Sequence, residues 1–167
     1  MLDNLLRALQ HSEFANWVQQ SAYPIVITAH SIGLATLVGL LVVIDLRVLG
    51  FARALPLPAL RRFMTVVWIG FWINAISGFM LFAIDAKKDY YSTLFRLKLS
   101  LIALGLILGA IITNTVLKRE DLYSAPGARA PAPARALAVL SLVCWASAIV
   151  TGRLLAYFTY GDIGVAD

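Results

Sequence analysis

Four long apolar segments dominate the pattern of this chain and predict four transmembrane helices. They cover residues 23–44, 64–84, 94–117 and 136–157, and each is close to the length that crosses a bilayer as an α-helix. Backbone groups in lipid must be satisfied internally, which segments of this length achieve as helices rather than barrel strands. The pattern predicts an all-α fold, an antiparallel four-helix transmembrane bundle over residues 23–160 with a tail at 161–167.

The first 22 residues follow a different pattern. Their apolar side chains recur at helical spacing, at Leu2, Leu5, Leu6, Leu9, Trp17 and Val18. Most polar side chains fall elsewhere on the helical wheel, so residues 1–22 are predicted to form an amphipathic helix on the membrane surface. The start lacks the basic segment and short apolar core of a signal peptide, and we expect it to be retained.

Basic residues flank the apolar segments and predict the topology. The loop between the first two spans contains Arg47, Arg53, Arg61 and Arg62, with Pro56 and Pro58 expected to break the helix. The loop between the last two contains Lys118, Arg119, Arg129 and Arg135. By the positive-inside rule both loops are cytoplasmic, so both termini lie outside a bacterial inner membrane.

Composition supports a membrane protein and argues against nucleic acid as a partner. The chain is 60% hydrophobic and 14% charged, far from the roughly 25% charged content of soluble domains. The net charge of +5 comes mostly from cations beside apolar segments, where they set topology. The single cysteine, Cys144, excludes an intrachain disulfide.

One histidine interrupts the first apolar segment and is the leading candidate for function. An ionisable group within the membrane is costly, so His30 indicates a functional site. It lies about 12 Å from the outer end of its helix at 1.5 Å per residue. Arg96 and Lys98 open the third span from that side, Arg153 closes the fourth, and Asn74 lies deeper in the second. The predicted topology brings His30, Arg96, Lys98 and Arg153, from three different helices, to the outer half of the membrane.

An imidazole among three cations without matching buried acids indicates a ligand that carries its own carboxylates. Haem b fits, with His30 as axial iron ligand and Arg96, Lys98 and Arg153 holding the propionates. The same three cations could instead hold the headgroup of a quinone. Asn74 would orient a neighbouring group, and Met80 is a weak candidate for the second iron ligand. His11, the other histidine, could reach the iron only by folding down from the surface helix.

Simpler roles remain open for the same residues. His30 could donate to a neighbouring backbone or to Asn74, and the cations could reach outward to the membrane surface. Asp45 and Arg47 are expected to pair locally. Small residues predict where helices approach one another and where copies of the chain could associate into a homo-oligomer: Gly70, Asn74 and Gly78, and the pair Gly105 and Gly109. Gly33, beside His30, would leave room for a flat ligand.

The segments AHSIGL, GLLVVIDLRVLG, ISGFMLF and YYSTLFRLKLSL resemble an uncharacterised family of four-helix bacterial inner-membrane proteins over nearly the whole chain. More distantly, the chain is similar to the flavin-independent membrane protoporphyrinogen oxidases and to copper-resistance D-type domains. His30, Arg47 and Lys98 match positions of the oxidases, where the histidine and lysine are associated with haem binding and activity. The chain departs from them at VLGFAR and lacks their later histidine, which weighs against the oxidase reaction more than against tetrapyrrole binding.

Three functions follow. The first is a b-type haem protein that transfers electrons with quinone or a partner oxidoreductase. The second is a membrane enzyme that oxidises a porphyrinogen, with Lys98 binding substrate carboxylates and standing as the candidate catalytic residue. The third is a cofactor-free accessory or permease-like subunit whose polar cluster only fixes helix packing.

Overall fold

The chain folds into seven α-helices over the residues described by this computed structural model, which are 1–51, 55, 57–115, 130–155 and 157. In chain order they are α1 (Leu2–Gln10), α2 (Glu13–Trp17), α3 (Tyr23–Leu49), α4 (Leu57–Ile84), α5 (Ala86–Tyr91), α6 (Thr93–Thr115) and α7 (Ala132–Leu155). A π-helical turn, Val18–Ala22, joins α2 to α3. The four long helices are α3, α4, α6 and α7.

These four helices form the predicted antiparallel all-α bundle. Helix α3 packs chiefly against α4, α6 packs against α7, and a contact between α3 and α7 joins the two pairs. All four are long and apolar enough to cross a membrane, so the chain is a multi-pass membrane protein. We call the end where α3 and α6 begin the upper end, and the opposite end the lower end.

The exterior of the bundle is apolar, as expected for a surface that contacts lipid. Large apolar side chains are exposed on all four long helices, including Ile32, Trp72, Ile76, Ile107, Val143 and Val150. The interior holds a core that includes Leu37, Leu41, Ile112 and Trp145. Cys144, the single cysteine, is buried on α7. Apolar residues on both faces of a helix are the pattern of a membrane span.

The helix ends extend some of the predicted spans. Helix α3 continues past Ile44 to Leu49 and is capped by Gly50, whose φ of 95° is the left-handed conformation that glycine adopts easily. Helix α4 begins at Leu57, so Pro58 lies in its first turn, where a missing backbone donor costs little. Outside the described residues lie Pro56, the basic residues Arg53, Lys118, Arg119 and Arg129, and the predicted tail 161–167.

The amino-terminal segment is two short helices rather than one amphipathic helix. The break falls at Ser12, whose side chain accepts a hydrogen bond from Ala15 N at 3.1 Å and so caps α2. Helix α1 packs against α5, and the Tyr91 hydroxyl donates to Asp3 Oδ1 at 2.6 Å. Leu6 is buried while Leu5 is exposed, so α1 uses part of its apolar face to cover the upper end of the bundle.

The small residues mark helix contacts within one chain. A Cβ at Gly33 would lie 2.7 Å from Asn74 N, and one at Gly70 would lie 2.9 Å from Leu37 N. On the other pair, a Cβ at Gly105 would lie 2.8 Å from Trp145 Cε2. These glycines therefore face their own chain rather than a second copy. Gly33 opens no space for a flat ligand, because the backbone of α4 fills it.

Candidate functional site

A pocket of about 520 Å³ opens at the upper end among all four long helices, a volume in the range of small-molecule and cofactor sites. Its polar wall is formed by Tyr23, His30, Asn74, Asp85, Lys88, Asp89, Lys98 and Arg153. Its apolar wall includes Leu34, Leu81, Phe82, Phe95, Ile102 and Ile149. Phe82 and Phe95 are stacked, with ring centroids 5.4 Å apart. The pocket thus combines a flat aromatic border with charged groups.

The hydrogen bonds of His30 decide which ring nitrogen can serve a ligand. Nδ1 lies 3.1 Å from the Asn74 carbonyl oxygen and 3.1 Å from Ser77 Oγ. A carbonyl oxygen only accepts, and the Ser77 hydroxyl already donates to the Ile73 carbonyl at 2.6 Å. Nδ1 therefore carries the hydrogen and donates to α4. The neutral ring then has its lone pair on Nε2, which among the described residues has no hydrogen-bond partner.

Helix α4 fixes the orientation of this ring. The Asn74 side-chain amide donates to the His30 carbonyl at 3.0 Å, so the two helices bond to each other in both directions. A Cβ at Gly78 would lie 3.1 Å from His30 Cε1, so the missing side chain at Gly78 lets the imidazole lie against the helix. Asn74 thus holds the imidazole of His30 through its backbone carbonyl and the backbone of His30 through its side-chain amide.

Two of the three predicted cations line the pocket. Lys98 lies across α7, where a Cβ at Gly152 would be 3.3 Å from Lys98 Cε and 3.5 Å from Nζ. Arg153 also lines the pocket, and its guanidinium carbon lies 5.6 Å from the centroid of the Tyr157 ring. That arrangement is a cation–π contact. These cations reach the pocket from α6 and α7, whereas the imidazole reaches it from α3.

Two acids that the sequence reasoning missed also line this pocket. Asp85 precedes α5 and Asp89 lies within it. The premise that the cations have no matching acids is therefore wrong. In the sequence, Asp85 and Asp89 flank Lys87 and Lys88, which predicts a charged loop of little net charge. The spacing of four residues between the two acids instead places them on one face of a helical turn. With His30 neutral, Lys88, Lys98 and Arg153 exceed the two carboxylates by one charge.

Comparison of the chain with protein-family models, with curated proteins and with solved structures finds no match. The resemblance to the flavin-independent oxidases stays a prediction from the quoted segments.

Three residues considered for the site lie elsewhere. Arg96 is exposed and is not part of the pocket wall, because two residues along a helix from Lys98 is about 200° around its axis. Met80 packs against the cluster of Val18, Ala22 and Val26 and does not line the pocket. His11 is exposed beyond the end of α1. In the described part of the chain, no three His, Cys, Asp or Glu side chains are arranged to hold a metal ion.

Near the lower end, the expected Asp45–Arg47 pair is wrong. Arg47 Nε instead donates to the Leu55 carbonyl at 2.9 Å. Asp45 is 1% exposed, and its polar neighbour is the Ser141 hydroxyl of α7. Residues two apart point to different sides of a helix, so Asp45 enters the core while Arg47 reaches outward.

Stability is expected to fall as the pH rises from about 4 to about 6, in part because of Asp89. Burial, aided by the nearby Asp85 carboxylate, raises the pKa of Asp89 from its usual 3.8 to about 6, against the opposing effect of Lys88 and Lys98. A carboxyl with a higher pKa in the folded state favours folding when protonated, and that contribution is lost as it ionises. Thermal unfolding in detergent should show a weaker pH dependence in Asp89→Asn than in the wild type.

Asp3 serves as the internal control for this measurement. The hydrogen bond from Tyr91 lowers the pKa of Asp3 below its usual 3.8, so Asp3 favours folding as the carboxylate and its contribution to the pH dependence has the opposite sign to that of Asp89. Equal pH slopes for the wild type and Asp89→Asn would contradict the assignment to Asp89.

Proposed function

We propose that this protein binds haem b in the pocket at the upper end of the bundle, with His30 Nε2 as the protein ligand of the iron. The observation that supports the proposal is the donation from Nδ1 to the Asn74 carbonyl at 3.1 Å. Histidines that ligate metals typically donate their other ring nitrogen to a carbonyl or carboxylate, which fixes the tautomer and the ring orientation. His30 makes this kind of bond through Nδ1, which leaves Nε2 as the ring nitrogen that can bind iron.

The charged side chains of the pocket fit the periphery of such a group. Lys98 and Arg153 would pair with the two propionates, since cations and carboxylates form short, charge-assisted hydrogen bonds. Asn74 would hold the imidazole, and Phe82 and Phe95 would border the macrocycle. We assign no role to Arg96 or Met80, and we assign no second iron ligand among the residues that the structure describes. When bound, haem would supply one-electron chemistry, consistent with the proposed electron transfer.

A quinone headgroup is a second candidate ligand, favoured by the Phe82–Phe95 stack. Nε2 of His30 would accept a hydrogen bond from a quinol hydroxyl, and the Lys98 ammonium would donate to a quinone carbonyl. Both groups line the same pocket, so the two ligands would compete for it.

We also propose the orientation that the loop charges favour. The lower end carries Arg47, Arg61, Arg62 and Arg135 within the described residues, and we assign it to the cytoplasm of a bacterial cell. Both termini and the pocket then face the outer side of the inner membrane.

Protein purified after haem-replete expression is expected to show a Soret band that shifts on reduction with dithionite. His30→Ala should lose the band, because it removes the ligating nitrogen. Lys98→Met should weaken haem binding by about tenfold or more, since a hydrogen bond to a charged group contributes about 1.5–3 kcal/mol. Arg96→Gln is the matched control on the same helix and should bind haem as the wild type does.

The outcomes separate the two ligands. If the wild type is colourless but co-purifies with quinone, and His30→Ala does not, quinone rather than haem is the ligand of the pocket. A preparation with neither ligand, folded by circular dichroism, would contradict both.

A further inference from the structure

We propose that Asp45 is a proton-binding site within the membrane, held as the carboxylic acid at the contact between α3 and α7 with Ser141 as its hydrogen-bond partner. This site is separate from the haem proposal. Asp45 and Ser141 are not part of the pocket wall, and Asp45 lies 15 residues beyond His30 on α3, about 22 Å along the helix at 1.5 Å per residue.

The first step is burial. Asp45 is 1% exposed and Ser141 is 0% exposed. Their surroundings belong to the apolar core of the bundle, which includes Leu41, Ile44 and Ala138. An ionised carboxylate in such surroundings is costly unless a charge or several donors compensate it.

The second step is the lack of a compensating cation in the described part of the chain. No residue there lies at ion-pair distance from Asp45. Arg47, the cation closest along the helix, is engaged with the Leu55 carbonyl. A metal ion such as Ca²⁺ needs six or more oxygen ligands, and the described residues hold no group of three acidic, histidine or cysteine ligands.

The third step is hydrogen bonding. Asp45 Oδ2 and Ser141 Oγ are both buried without a completed hydrogen bond, although the hydroxyl is the polar neighbour of the carboxyl. A buried polar atom without a partner costs about 1–3 kcal/mol. A proton on Oδ2 turns that oxygen into a donor to Ser141 Oγ and satisfies both atoms together. The proton also removes the negative charge. Protonation therefore accounts for both the missing cation and the unpaired polar atoms.

Infrared difference spectroscopy tests this assignment. At neutral pH the wild type should show a carboxylic acid C=O band that shifts to lower frequency in deuterated water, and Asp45→Asn should lack it. Asp45→Asn keeps the size of the side chain and is checked for folding by circular dichroism. Ser141→Ala should move the band to higher frequency, because the acid loses its hydrogen-bond partner.

The Ser141→Ala shift identifies Asp45 even if Asp45→Asn does not fold. A wild-type spectrum with carboxylate bands only would overturn the proposal and show that Asp45 is ionised. A carboxylic acid band that persists in folded Asp45→Asn would assign the proton to another residue and overturn it as well.

Discussion

Replacing Gly33 by alanine is expected to destabilise the bundle by about 1–3 kcal/mol, the usual cost of overpacking a tight core. The added Cβ would lie 2.7 Å from Asn74 N and 3.0 Å from the Gly70 carbonyl oxygen. Both atoms belong to the backbone of α4, so no side-chain rotation can relieve the overlap and α3 must move away. That movement would also stretch the hydrogen bonds between His30 and α4, so the proposed haem binding should weaken along with stability.

Gly39 provides the matched control on the same helix. A Cβ there meets nothing within 4 Å, so Gly39→Ala should leave stability unchanged or raise it by up to about 1 kcal/mol through helix propensity. Thermal unfolding of both variants in detergent, followed by circular dichroism, gives the comparison. Equal effects of the two substitutions would show that α3 and α4 do not cross at Gly33.

A second large effect is expected from Gly105→Ala on α6. Its Cβ would lie 2.8 Å from Trp145 Cε2 and 3.1 Å from Cζ2, and the indole is 1% exposed and packed in the core of the bundle. The substitution should therefore separate α6 from α7 and cost about 1–3 kcal/mol. Because Lys98 and Arg153 reach the pocket from these two helices, affinity for the proposed ligand should also fall.

Gly109 tests whether the effect comes from the specific contact or from any change in the GxxxG pattern. A Cβ at Gly109 would meet only Leu41 Cδ2 at 3.3 Å, the end of a flexible side chain that can shift by a few tenths of an ångström. Gly109→Ala should therefore cost much less than Gly105→Ala in the same unfolding experiment. Similar losses for the two variants would contradict the role given to Trp145.

The helices were predictable because the solvent imposes them. A segment that crosses lipid must be apolar and helical, so hydropathy alone placed α3, α4, α6 and α7 to within a few residues at most ends. The break at Ser12 was less visible, because an amphipathic period continues across it. The break depends on a local hydrogen bond from Ala15 N to the Ser12 side chain. Such a side-chain bond replaces a backbone bond of a continuous helix, and the hydrophobic pattern does not reveal it.

The sequence predicted how deep the residues of the candidate site lie in the membrane, but not which side of each helix they face. Counting residues from the membrane boundary brought His30, Lys98 and Arg153 to one level, and all three line the pocket. The same count could not separate Arg96 from Lys98, since their directions depend on how α6 is rotated by its contact at Gly105. Asp89 was missed for a related reason, because a short helix between spans reads as a charged loop.

The buried position of the only thiol has a practical consequence. Cys144 is 2% exposed, so water-soluble maleimides should find little to react with in the folded protein. A cysteine introduced at exposed Glu13 or Arg62 would then be the single reactive group on the surface. Labelling of intact cells with an impermeant reagent would report which side of the membrane each end occupies, without first building a cysteine-free background.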